Sequence, residues 1–235
     1  MSREQPGPAP SALGFGVLAI SLLGAAAAHA HGVTGGDQLF LESAAGRQLV
    51  PFVYLGAKHM VTGYDHLLFL VGVIFFLHRM KEVATYVSLF AVGHSVTLLY
   101  GVLSGTDVNP FAVDAVIGFS VAYKGMDNLG LWQRWFGRQP NTKAAVLLFG
   151  LIHGFGLATK LQDFELSAEG LVGNIIAFNV GVELGQFLAL AAILVGMGYW
   201  RRSGGFERHA SLANKLLIAA GAALVVYQLH GYLNS

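Results

Sequence analysis

Apolar stretches recur along this chain at residues 52–77, 83–103, 110–126, 143–159, 171–198 and 211–232, each long enough to cross a bilayer as a helix. Only 11% of the 235 residues are charged and 54% are hydrophobic, whereas an ordinary soluble domain is about 25% charged. Most of the chain therefore belongs in lipid. The expected fold is all-α, a polytopic membrane bundle of about six transmembrane helices in one domain at 52–235. The first stretch is long, and Gly56 and Gly63 are placed to divide it into an amphipathic segment and a span. Gly101-x3-Gly105, Gly150-x3-Gly154 and Gly181-x3-Gly185 have the spacing of close helix contacts.

Composition also excludes. A net charge of +1 implies no nucleic-acid partner, and the absence of cysteine removes both disulfides and thiolate ligands. A metal held here would meet imidazole nitrogen and carboxylate or carbonyl oxygen, which suits Ni, Co, Zn or Fe better than Cu(I). No Gly-x4-Gly-Lys-Ser/Thr loop points to ATP hydrolysis.

Residues 12–28 form an Ala/Leu-rich run ending in Ala28-His29-Ala30, the pattern of a signal peptide (1–30) cleaved before His31. An uncleaved first helix is the other reading. Residues 31–51 then form a short exported segment of unassigned role. Basic residues sort the loops. Arg79 and Lys81 mark one connection, Arg134 and Arg138 the next of the same side, and Arg201, Arg202 and Arg208 the third. The alternate connections carry Asp107, and Lys160 against Asp163, Glu165 and Glu169. The positive-inside rule puts the first group in the cytoplasm. The chain is thus expected in the inner membrane with both mature termini on the exported side. Trp132, Trp135 and Phe136 read as an interfacial segment.

Within this frame the ionisable residues are conspicuous, because each costs at least ~2.5–3.5 kcal/mol at the bilayer centre. His66 lies twelve residues before His78, His94 eleven after Val83, His153 ten after Lys143, and Glu183 twelve after Leu171. At 1.5 Å per residue, all fall near mid-depth, as does Ser120. Asp65 adjoins His66, while His59 and Asp114 lie nearer the outer surface, as an access route would require. His59 and His66, seven apart, share a helix face. Asn179, Glu183 and Gln186 form one polar stripe at i, i+4, i+7. The bland reading of a membrane histidine is an interhelical hydrogen bond, but such bonds average only ~0.6 kcal/mol. Glu183 could ligate a metal or neutralise a protonated histidine. Ser95, Thr97, Asn128 and Asn174 read as packing or helix-end groups, and His78, His209 and His230 as exposed.

His59-x5-Asp65-His66, Gly93-His94-Ser95-x-Thr97-Leu98, His153-Gly154-Phe155-Gly156 and Phe178-Asn179-x-Gly181-x-Glu183-x-Gly185-Gln186 together resemble the HupE/UreJ family. That resemblance implies a membrane protein associated with hydrogenase and urease maturation, regarded as a nickel or cobalt permease. The His-x5-Asp-His element would lie in the metal path. It carries over to His59, Asp65 and His66 first, then to His94, His153 and Glu183.

The expected function is a permease, not an enzyme, importing Ni²⁺ or Co²⁺ as cargo with no permanently bound cofactor. Zn²⁺ is compatible with the same ligands. Partners would be the ion, the bilayer and hydrogenase or urease maturation proteins, and a homo-oligomer is compatible. The rival readings are an intramembrane zinc hydrolase, with His, Asp and Ser activating a water, and a non-transporting accessory subunit.

Overall fold

Val61 and Thr62, both β-branched, precede Gly63, and these are three of the weaker helix formers in succession. The helix stops there. Gly63 adopts an extended backbone (φ −73°, ψ 97°) between α1, Leu49–Thr62, and α2, Tyr64–Ile74. The computed structural model describes residues 46–162 and 169–234, which belong to one compact unit, His31–Ser235. The expected signal peptide, most of the exported segment and the acidic residues Asp163 and Glu165 lie outside the described residues. Residues 49–51, placed in the exported segment from sequence, belong to the first helix.

The remaining described helices are α3 Met80–Ser104, α4 Pro110–Asn128, α5 Leu131–Phe136, α6 Thr142–Gln162, α7 Leu171–Arg202 and α8 Gly205–Leu233. There is no strand among the described residues. Local chemistry sets several ends. Asn109 Oδ1 accepts from the Ala112 N–H at 3.1 Å with Pro110 at the first helical position, a strong start for α4. The Arg201 guanidinium donates to the Ile74 and Phe75 carbonyls at 2.8 and 2.7 Å, placing a cation on the C-terminal end of α2. α8 begins at Gly205, so His209 sits in its first two turns and not in a loop.

Three tight pairs make the bundle, and glycine makes each pair. In α1–α7, Gly181 and Gly185 face the backbone of Val53 and Ala57, so the two helices run parallel. In α3–α6, also parallel, a Cβ on Gly150 would lie 2.5 Å from the Phe90 carbonyl oxygen and one on Gly93 2.6 Å from that of Leu147. In α4–α8, antiparallel, Gly118 meets Leu224 and Gly125 meets Asn214. Without a hydrophobic drive between helices in lipid, such close backbone approach supplies the van der Waals attraction. Of the glycine pairs expected from sequence, Gly150/Gly154 and Gly181/Gly185 are contacts. Gly101 packs on Ala158, but Gly105 is the left-handed cap of α3 (φ 64°) with no neighbour.

Among the described residues, four helices (α3, α6, α7 and α8) are long and apolar enough to cross a membrane. The 19-residue α4 is interrupted in polarity by Asp114, Lys124 and Asp127, and the first stretch is cut into 14 and 11 residues at Gly63. The exposed Trp135 and Phe136 on α5 fit the interfacial position expected of that segment.

Candidate metal centre

The break at Gly63 brings the last turn of α1 and the first turn of α2 to one place. His59 ends the first half, and Asp65 and His66 begin the second. A Cβ on residue 63 would stand 2.7 Å from His66 Nδ1 and 3.1 Å from the His59 carbonyl oxygen, so only glycine leaves room for the imidazole. The rings of His59 and His66 pack edge to face with centroids 5.1 Å apart.

Two more histidines close on His66 from the α3–α6 pair. His94 and His153 are one parallel turn-pair, held together where Gly154 lies against the His94 backbone. Their ring centroids are 6.1 and 5.1 Å from that of His66. His66, His94 and His153 are 2%, 0% and 1% exposed, so none of them meets lipid or water. One ring nitrogen from each of His59, His66 and His94 lies within 4.8 Å of the others, a spacing that can hold a metal ion. Imidazoles sharing one ion of Zn-like size hold it at about 2.0–2.1 Å.

Hydrogen bonds orient the ligands. Asp65 Oδ1 lies 3.0 Å from His66 Nδ1, and the Phe149 carbonyl oxygen 2.6 Å from His153 Nδ1. In each case the natural assignment is Nδ1–H donating to oxygen, which leaves the lone pair on Nε2. Metal-binding histidines are oriented and made more basic in this way. Asp65, 4% exposed, is therefore placed to orient His66 toward a bound ion. Neither ring nitrogen of His94 has a hydrogen-bond partner among the described residues. A fully buried imidazole left so costs roughly 1–3 kcal/mol. The site is chemically a set of imidazole nitrogens with one carboxylate, in a largely buried surround.

Glu183 is not part of it. The helical phase of α7 turns Val182, Gly185 and Gln186 inward and Glu183 outward, where it is exposed beside Leu184, Phe187 and Leu188. The expected stripe divides accordingly, with Gln186 buried and donating to the Val87 carbonyl at 3.4 Å while Glu183 faces away. Ser120, though 0% exposed, bonds within its own helix to the Ile117 carbonyl at 2.6 Å. Thr97, Asn128 and Asn174 do serve packing and helix ends. Thr97 donates to the Leu151 carbonyl, Asn128 to Gly72 and Asn214, and Asn174 Oδ1 accepts from the Gln48 N–H.

Two buried ion pairs were not foreseen. Asp114, near the N-terminal end of α4, receives Lys160 from α6 at 2.7 Å. Near the other end, Lys124 and Asp127 pair at 2.5 Å, and Gln139 and Thr142 complete the Asp127 carboxylate. Lys160 reads from sequence as a loop charge, and Lys124 stands at the edge of the basic connection that follows α4. The i, i+3 spacing of Lys124 and Asp127 was the available signal.

A family model described as HupE / UreJ protein matches residues 35–235, and the chain belongs to that family. No curated protein and no solved structure matches it.

Proposed function

We propose that this HupE/UreJ protein is a permease for a divalent transition metal, with nickel or cobalt as cargo, and that the ion passes the histidine cluster at the break between α1 and α2. The observation that carries this reading is the convergence of His59, His66 and His94 at the interruption of a helix, with Asp65 and His153 alongside. Broken membrane helices place ion sites at mid-depth in transporters, because irregular backbone is tolerated only where it lines such a site. α1 and α2 together, running parallel to α7, would supply one span and α4 another, making six. The basic loops favour their side as cytoplasmic, and import is the direction that agrees with supply of metal to the cell.

The chemistry fits passage better than storage. A few neutral imidazoles and one carboxylate hold Ni²⁺, Co²⁺ or Zn²⁺ without a permanent cage, and conduction needs binding weak enough to release. Supply of nickel to hydrogenase or urease maturation is the use the family suggests. Nickel and cobalt entry into proteoliposomes of the purified protein tests the reading, with His66→Ala and Asp65→Asn as variants. Saturable uptake by the wild type, lost in both variants at equal protein density, is the expected result. Lipid hydrolysis without uptake would favour a metallohydrolase, and neither activity an accessory subunit.

A further inference from the structure

Each of the three fully buried histidines has a phenylalanine one turn away on its own helix, and always on the same side. Phe69 follows His66 on α2, Phe90 precedes His94 on α3, and Phe149 precedes His153 on α6. α2 runs toward Arg201, while α3 and α6 start beside Lys81 and Lys143. All three phenylalanines therefore lie between the histidines and the basic end of the bundle. The rings meet. Phe69 lies 5.4 Å from Phe90 and 5.8 Å from Phe149, centroid to centroid, and the three are 1%, 1% and 6% exposed. They also touch the layer above, with Phe90 at 5.0 Å and Phe69 at 5.7 Å from His153, and Phe90 at 6.2 Å from both His66 and His94.

The two faces of the cluster thus differ in composition. The half-buried His59, with the Phe178 ring 6.0 Å away, borders it on one side, and three buried phenylalanine rings floor it on the other. We propose that Phe69, Phe90 and Phe149 form the cytoplasmic gate of the metal path, holding the structure closed on the inner side of the histidine layer. The inference rests on the permease reading and adds the element that separates binding from release. A hydrated divalent ion cannot cross a constriction of three packed rings, because such a constriction sheds water. The gate must part for the ion to leave. The member nearest the helix break is Phe69, carried on the 11-residue α2, which follows the extended Gly63. The site and the gate are joined covalently and by hydrogen bond, since the His153 ring bonds the carbonyl of Phe149 itself at 2.6 Å.

The cysteine-free chain permits a test that does not depend on transport. A single reporter, His94→Cys, sits above the gate, and a small impermeant thiol reagent is applied to inside-out membrane vesicles. With the three rings intact, labelling is expected to be slow. Phe90→Ala and, separately, Phe149→Ala should each raise the labelling rate by about tenfold or more, whereas Phe90→Leu keeps it within about twofold, because a bulky apolar side chain still excludes water. Two alanine variants, at different points of the ring, guard against one failing to fold. Labelling that stays at the parent rate in both, at normal thermal stability, would overturn the gate. Absence of metal uptake by wild-type proteoliposomes would instead overturn the permease reading, and the labelling result would stand apart from it.

Discussion

Gly63→Ala sets a gain from a stiffer unfolded chain against a loss at the candidate metal site. The backbone at residue 63 is extended with negative φ, so alanine can adopt it without strain. Replacing glycine by alanine at a compatible position stabilises a protein by about 0.4–1 kcal/mol, chiefly by restricting the unfolded chain. The new Cβ, however, would lie 2.7 Å from His66 Nδ1, and an ordinary contact of 3.4 Å demands a retreat of about 0.7 Å. His66 cannot simply swing away, because Asp65 holds that nitrogen at 3.0 Å and Asp65 Oδ1 is itself 3.3 Å from the added carbon. Metal–ligand distances tolerate only about ±0.2 Å. Displacing a ligand and its orienting carboxylate together should weaken nickel binding by about 10- to 100-fold, or about 1.4–2.8 kcal/mol. Calorimetric titration of the detergent-solubilised protein reads the affinity, and a thermal melt without metal reads the stability. Gly196→Ala is the control, since nothing lies within 4 Å of that position. A Gly63→Ala variant that binds nickel within twofold of wild type would refute the view that glycine is there to seat His66.

His94→Leu should leave apo stability unchanged or raise it by roughly 1–3 kcal/mol, since two unpartnered buried nitrogens are exchanged for carbon, while nickel affinity falls; a melt beside a titration checks both. Asp114→Asn should destabilise by roughly 3 kcal/mol by stranding Lys160, and the added Lys160→Met should restore much of the loss, so a double-mutant cycle that is purely additive would argue against the pair. For topology, Glu169→Cys should react with an impermeant thiol reagent on intact cells and Ser203→Cys should not; the reverse would invert the direction of transport. Metal binding should weaken as pH falls, because protons compete for the imidazole lone pairs, and an affinity flat into the acid range would argue against histidine ligation.

Much of the architecture could be read before any coordinates. The charge-poor composition and repeated apolar runs dictate a helical membrane protein. The positions of His66, His94 and His153 along their helices, counted from charged ends, already put them in a band, with Asp65 beside His66 and His59 nearer the outer surface. Periodicity sufficed there because depth is a one-dimensional quantity: rise per residue converts sequence position into height. The division of the first span at Gly63 was legible for a similar local reason, the weak helix formers around it. The phenylalanine layer was equally countable, at +3 from His66 and −4 from His94 and His153, though hydrophobic residues in apolar helices give no cue to look.

What height does not supply is rotation about the helix axis, and that only tertiary packing decided. Glu183 shares the histidines' depth yet faces outward, because Gly181 and Gly185 commit the opposite face of α7 to α1. Lys160 looks like a loop charge in sequence and Lys124 like the edge of a basic connection, but their stems lie along neighbouring helices and each ammonium reaches a buried carboxylate. Which glycines are contacts and which are caps was settled the same way, by whether another backbone came close enough to need the missing Cβ. Sequence determined the height of every candidate ligand. The glycine-to-backbone contacts between helices set their rotation, and so decided which ligands meet.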